Sequence, residues 1–473
     1  MDPRDERLQR ATRRLFLHDS ALGLGAMALG SLCAERAAAD QERPLATRAG
    51  AHPAGAKHVI FVHLAGAPPQ LDLFDYKPKL NALHGTLCPE EFIAGKRLAF
   101  IKGHPTLLGN QQGFVRRGQT GQWVSELLPC FGPLVDKVAM VRSMHTDQFN
   151  HAPADLFLHT GNAQFGAASI GSWLTWGLGS PNQNLPGFVV LGTGGSDPTG
   201  GKSTWGSGFL PSAYQGVRVR SQGEPVLYVS DPKGMDRAVR RRSLDALRTL
   251  NESELDQAGD PEIRARIDQY ELAFRMQLSV PEVMDLRRES SAALELYGAQ
   301  PGEASFANSC LLARRLVEAG VRYVQLFDWG WDIHGTGAHD DLLTQFPQKC
   351  KEVDRPLAAL LLDLERRGLL AETLVVWCAE FGRTAMNEAR DGSTFLGRDH
   401  HAGCFTAWLA GAGIQPGLQY GATDELGYTI SENPVHVHDL QATILHLVGL
   451  DPERLSYPYL GLDQRLIGPA HGP

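Results

Sequence analysis

His58-Val59-Ile60-Phe61-Val62-His63-Leu64, closed by Ala65-Gly66-Ala67-Pro68-Pro69, is the stretch whose reading decides the fold. It is short, apolar and rich in branched side chains, with little polar alternation. That pattern suits a strand buried on both faces, and the Gly/Pro loop ends it. Comparable runs recur at 138–141, 187–191, 321–326, 373–378 and 405–409. Between the last three lie helical segments; in residues 354–368, Leu357, Leu360, Leu361 and Leu364 follow helical spacing and Gly368 suits the C-terminal end. Strand, helix, strand in repetition predicts an α/β sandwich with a mostly parallel central sheet flanked by helices. Residues 231–300 are charged and poor in strand formers, with a long helical pattern at 261–278, and read as a helical insertion packed on the sheet domain.

The chain has 473 residues, 43% of them hydrophobic and 21% charged, which excludes a disordered, collagen-like or multi-span membrane protein. With 45 basic against 53 acidic side chains the net charge is -8, so there is no broad basic field for nucleic acid. The 51 glycines imply many tight turns, and the 17 histidines raise the question of whether they cluster. The glycine-rich segment 192–208 lacks Walker A spacing and a clean strand-to-helix G-x-G-x-x-G context, so it reads as a surface or site-lining loop. Seven cysteines without a C-x-x-C pair support neither a zinc ribbon nor a thioredoxin motif.

The first residues read as an address. Thr12-Arg13-Arg14-Leu15-Phe16-Leu17 precedes an uncharged run at 21–30, and Ala37-Ala38-Ala39 offers a cleavage site. This predicts a twin-arginine signal peptide over 1–39, a linker over 40–56 and one domain over 57–473. The run is too short and glycine-rich to span a bilayer, so the mature chain is expected to be periplasmic or secreted, without a transmembrane segment, after passage through the twin-arginine machinery. Gly30-Ser31-Leu32 before Cys33 is a poor lipobox, which argues against a lipoprotein.

In open α/β sheets the ligand site lies beyond the carboxyl ends of the strands. Metal-type side chains crowd those positions here: Gln70, Asp72 and Asp75; His145, Asn150 and His151; Asp328, Asp332 and His334; Glu380 and Arg383; and Arg398, Asp399, His400 and His401 before the last run. Carboxylates mixed with imidazoles suit zinc first, with manganese or iron as alternatives, whereas calcium favours oxygen ligands alone. Asp332 and His334, two apart, fall on one side of an extended segment, as a shared cation needs. A hydrogen-bonded polar network without metal is the other reading. Trp205, Trp329 and Trp331 near glycine-rich loops suit either sugar stacking or core packing.

The signal region, the block Leu64-Ala65-Gly66-Ala67-Pro68-Pro69-Gln70-Leu71-Asp72-Leu73-Phe74-Asp75, Asn150-His151, Trp331-Asp332-Ile333-His334, Ala379-Glu380-Phe381-Gly382-Arg383-Thr384, Gly397-Arg398-Asp399-His400-His401 and His438-Asp439-Leu440 together resemble the domain of unknown function 1501 family. That family looks like a sulfatase-like branch of the alkaline phosphatase superfamily. The resemblance implies an alkaline phosphatase-like three-layer sandwich and a two-metal hydrolytic site. It places Asp332 and His334 on the first metal, with His400 or His401 as that metal's second histidine. Glu380 falls where the superfamily has an aspartate, and Phe381 replaces the following histidine. Ala65-Gly66 stand where a metal-binding Asp should end the first strand, so Asp72 or Asp75 would have to reach back. The hydroxyl or thiol nucleophile is missing from Asn150-His151-Ala152, and no Cys-x-Pro-x-Arg occurs, which excludes a formylglycine sulfatase.

Three readings follow. A metal-activated water attacks a phosphate or sulfate ester of a small molecule or polysaccharide, with Arg383 or Arg398 on the oxyanion, and His151 and Glu380 in catalytic roles. Alternatively His151 is itself a transient nucleophile. In the third, the scaffold has lost turnover and binds an anionic or carbohydrate ligand or a partner protein. The metal ligands expected are Asp332, His334, His400, His401, Asp72 and Glu380, with His438 a lesser candidate.

Overall fold

A computed structural model describes residues 45–95, 98–220, 226 and 235–468. The expected signal peptide lies outside the described residues, as do the first part of the linker, residues 231–234 of the expected insertion and the last five residues of the chain. Among the described residues nine strands build one sheet: β1 (His58–Ala65), β2 (Val138–His145), β3 (Phe188–Thr193), β4 (Val217–Arg218), β5 (Tyr323–Trp329), β6 (Thr373–Cys378), β7 (Phe405–Gly411), β8 (Gln419–Tyr420) and β9 (Val435–His436). Their order is β8-β2-β7-β6-β1-β5-β3-β4, with β9 also paired to β2. Only β7 runs antiparallel to its neighbours within this sheet, so the sheet is mostly parallel.

The alternation of β1 divides the interior. Ile60 and Val62 face one apolar cluster, built with Leu311 and Leu312 of helix α5 and with Leu357, Leu360 and Leu361 of α6. Val59 and Phe61 face the other, built with Phe157 and Leu158 of α1, Trp173 and Leu174 of α2, and Leu440 and Ile444 of α7. The longer helices among the described residues are α1 (His151–Thr160), α2 (Ile170–Leu178), α3 (Arg237–Ala258), α4 (Pro261–Met284), α5 (Phe306–Glu318), α6 (Gln345–Arg366) and α7 (Val437–Leu447). The result is three layers. α3 and α4 fall within the expected insertion; α4 adds Leu272, Met276 and Val280 to the first cluster, and α3 packs on α4 with only Leu244 buried.

Several boundaries differ from the sequence pattern, the strand at 138 running on to His145 for example, and two of the differences share one physical reason. β5 runs on through Asp328 to Trp329 because the Asp328 carboxylate is paired inside, 2.8 Å from Lys349 Nζ, so a polar residue does not end the strand. α6 begins at Gln345, nine residues before the segment 354–368 expected to be helical, and that same buried Lys349 lies in its early turns. Among the described residues no helix is long and apolar enough to cross a membrane, and Cys88, Cys130, Cys310, Cys350, Cys378 and Cys404 are all free thiols.

Candidate metal centre

The first residue of α1, the loop after β5 and a short hairpin pairing His400–His401 with Gly382–Arg383 meet at the carboxyl edge of the sheet. They bring His151, Asp332, His334 and His400 together, one donor atom of each lying within 4.8 Å of the others. Asp332 Oδ1 is the common point, 2.7 Å from His334 Nε2, 3.2 Å from His151 Nε2 and 3.5 Å from His400 Nε2. Arg383 Nη2 also donates to it at 2.5 Å. One carboxylate oxygen cannot accept from so many donors, and His151 Nε2 and His400 Nε2 are buried without a hydrogen-bond partner.

The opposite nitrogens explain this orientation. His151 Nδ1 lies 2.6 Å from Glu380 Oε1, His334 Nδ1 2.5 Å from Glu388 Oε2, and His400 Nδ1 2.7 Å from the Phe149 carbonyl. Glu380, Glu388 and the Phe149 carbonyl are acceptors, so each ring when neutral carries its proton on Nδ1 and turns an Nε2 lone pair toward the shared centre, although Arg390 Nη2 also lies 3.2 Å from His334 Nδ1. Held imidazoles of this kind are how proteins present histidine to a metal. Three imidazole nitrogens and one carboxylate match the donor preference of zinc, and also suit manganese or iron. The residues present therefore fit a divalent cation.

The electrostatics follow from the same contacts. Burial disfavours the charged form of His151, but the Asp332 and Glu380 carboxylates beside it outweigh that and lift the pKa to about 9, so without a cation Nε2 carries a proton whose place a cation would take. Burial pushes His400 down to about 4. Asp332 resists burial through its three imidazoles and Arg383, which hold its carboxyl far below the usual range. Glu380, wholly buried, is likewise held low by His151 and His63.

Several residues expected at the site stand elsewhere. Asp72 is fully buried against Arg398, with Oδ2 2.7 Å from Nε, so its carboxylate already has a cation and does not reach the cluster. His401, neighbour to a converging histidine, points the opposite way along the hairpin and stacks on Tyr428 at 4.4 Å. Asp75 accepts from Thr423 and Lys77, and His438 lies 3.1 Å from the Gly161 carbonyl. Glu380 supports His151 from behind rather than joining the four. Arg383 is 1% exposed, and its donors are taken by the carbonyls of Gly66, Ala67 and Arg398 and by Asp332. Arg398 is equally saturated, by Asp72, Leu108, Thr384 and Gly109. Neither guanidinium is placed to receive an oxyanion. At the end of β1, Gly66 leaves no room for a metal-binding Asp: a Cβ there would lie 2.6 Å from the Asp332 nitrogen, and φ is +106°. Trp205 and Trp331 are buried core residues, whereas Trp329 is half-buried beside the His151 ring. The glycines at 192–195 line a separate cavity of about 730 Å³ with Arg218 and Lys349.

Other members of the site escaped the sequence reading. His63, Asp155 and His159 are fully buried behind Glu380, and Glu388 backs His334. A signal for the first three was present: His151, Asp155 and His159 recur every four residues on one face of α1, and His63 shares the Val59 and Phe61 face of β1. Arg390 and Phe100 rim the cluster. The guanidinium lies 4.8 Å over the Phe100 ring, which meets His400 edge-on at 5.0 Å, and Asp399 ties the Phe100 nitrogen down at 2.8 Å.

A family profile described as a protein of unknown function (DUF1501) matches residues 56–472. No curated protein matches the sequence. Among solved structures, the PsFucS1 sulfatase from Pseudoalteromonas sp. is 13% identical, with 84% of this chain and 68% of that chain covered and a TM-score of 0.35. The lipoteichoic acid synthase LtaP from Listeria monocytogenes is 10% identical over 91% of this chain and 79% of its own, at 0.34. The alkaline phosphatase from the Antarctic bacterium TAB5 is 10% identical over 84% and 99%, at 0.31. Likenesses this low leave activity to be argued from the chain's own residues.

Proposed function

We propose, for a chain that belongs to the DUF1501 family of proteins of unknown function, that it is an exported hydrolase of phosphate or sulfate esters in which His151, Asp332, His334 and His400 hold one divalent cation. Zinc is the first choice, with manganese or iron as alternatives. Bound there, the cation would supply Lewis acidity and a water acidic enough to attack near neutral pH. The chain's own residues do the rest. Glu380, Glu388 and the Phe149 carbonyl orient the three imidazoles. Arg383 braces Asp332 from inside. The anionic oxygens of the ester are assigned to Arg390, which pairs with Glu388 through Nε and Nη2 but, unlike Arg383 and Arg398, is 34% exposed at the rim. Phe100 and Phe149, 42% and 43% exposed, offer an apolar edge to the organic half of a small-molecule or polysaccharide ester. His151 is a poor nucleophile, since Nδ1 is engaged by Glu380 and Nε2 faces the other donors. Export rests on Arg13-Arg14 and the segment that follows them.

The observation that carries this reading is the pair of buried, unpartnered nitrogens, His151 Nε2 and His400 Nε2, aimed at a carboxylate. Metal analysis of the purified protein, together with a panel of aryl phosphate and aryl sulfate esters, tests it. About one equivalent of metal and turnover abolished in Asp332→Ala are expected. Absence of both metal and turnover sinks it. Metal without turnover would favour a scaffold that binds an anionic or carbohydrate ligand or a partner protein, a reading supported by the missing hydroxyl nucleophile and the saturation of Arg383 and Arg398.

A further inference from the structure

Behind the four converging donors lies a second, fully buried group, His63, Asp155 and Glu380, whose donor atoms also lie within 4.8 Å of one another. Taken as ligands they invite a second cation. The hydrogen bonds around them decide against it. Gln325 Nε2 lies 3.3 Å from the Thr204 carbonyl, which can only accept, so this atom is a donor. The same nitrogen lies 3.3 Å from His159 Nδ1, which therefore accepts. His159 is wholly buried beside a second imidazole, so its ring is neutral and its one proton sits on Nε2. That proton is donated to His63 Nδ1 at 2.9 Å. His63 then carries its own proton on Nε2 and donates it to Glu380 Oε2 at 2.9 Å. A protonated Nε2 has no lone pair for a cation.

Glu380 Oε1 accepts from the Gly66 nitrogen at 2.8 Å and from His151 Nδ1 at 2.6 Å. We infer that Gln325, His159, His63 and Glu380 form a buried hydrogen-bond wire of fixed direction that locks His151 with its Nε2 lone pair facing the cluster, so that the chain binds one cation and not two. This rests on the metal reading above. His63 and His159 are positioning residues, touching neither substrate nor cation. The strongest sign for a second cation is Asp155 Oδ1, unpartnered and 3.6 Å from His63 Nε2. Yet Asp155 Oδ2 is held by Thr199 and Gly200, and with His63 protonated only carboxylate oxygens remain in the group.

The test is metal stoichiometry and affinity on the purified full chain, read by elemental analysis and by zinc titration against a chromophoric chelator. The wild type is expected to bind one equivalent. His63→Leu, which breaks the wire, is expected to weaken zinc binding about 10- to 100-fold, while His63→Gln stays within about threefold, because its amide can accept from His159 and donate to Glu380. Two tight equivalents in the wild type overturn the inference, and that measurement stands even if His63→Leu fails to fold. One equivalent with His63→Leu binding as the wild type does overturns the wire and leaves the metal reading intact. No metal in the wild type overturns both.

Discussion

Every donor of Arg383 that the fold engages is committed to the protein itself: Nε to Ala67 O, Nη1 to Arg398 O, and Nη2 to both Gly66 O and Asp332 Oδ1. Lysine keeps the charge and loses the fork, leaving at least two buried carbonyls unsatisfied at about 1–3 kcal/mol each. Arg383→Lys is therefore expected to destabilise the fold by about 3 kcal/mol and to weaken metal binding together with it, measured by thermal unfolding and chelator titration. A variant with wild-type stability and a reduced turnover rate alone would return the guanidinium to the substrate. Sequence marked Asp72 as a candidate ligand and Arg383 and Arg398 as candidate anion contacts from their places near strand ends, but could not say which charge meets which. Asp72 and Arg398 are 326 positions apart, and only their burial in one spot turns a candidate ligand and a candidate anion contact into a closed ion pair.

At the scale of elements, the strands were legible because runs of branched apolar residues have few other uses. The site was legible as strand-end segments for the same reason. What stayed hidden were side chains whose role depends on a face: His63 in β1, and Asp155 and His159 in α1, look like isolated polar residues until the sheet and helix press them together. The hairpin strand His400–His401 shows the opposite limit, since alternation sends one histidine to the cluster and the next to Tyr428. Ligand placement also depends on two loops held backbone to backbone. A Cβ on Gly397 would lie 1.9 Å from the His334 carbonyl carbon, so this glycine sets the distance between the segments carrying His334 and His400. Gly397→Ala must push those segments apart. It is expected to cost more than about 1 kcal/mol of stability and to lower zinc affinity, seen as a fall in melting temperature and a weaker chelator-competition constant. Unchanged values in both would mean that the loops are not a rigid frame for the ligands.

Across the whole molecule the four donors come from three distant parts of the chain, which meet only once the sheet is formed and covered on both faces. An unfolded chain offers the same side chains without the convergence, so a bound cation stabilises the native state alone. The linkage is about 2.7 kcal/mol at a free metal concentration of 100 Kd and about 4.1 at 1,000 Kd. For a domain of this length that corresponds to a rise of about 3 to 5 °C in melting temperature. Removing the metal with a chelator should lower the melting temperature by that amount, and zinc or cobalt should restore it. Calcium should not, because three of the four donors are imidazole nitrogens and that ion seeks an oxygen cage. A melting temperature indifferent to verified metal removal, or restored equally by calcium, would place the cation outside His151, Asp332, His334 and His400.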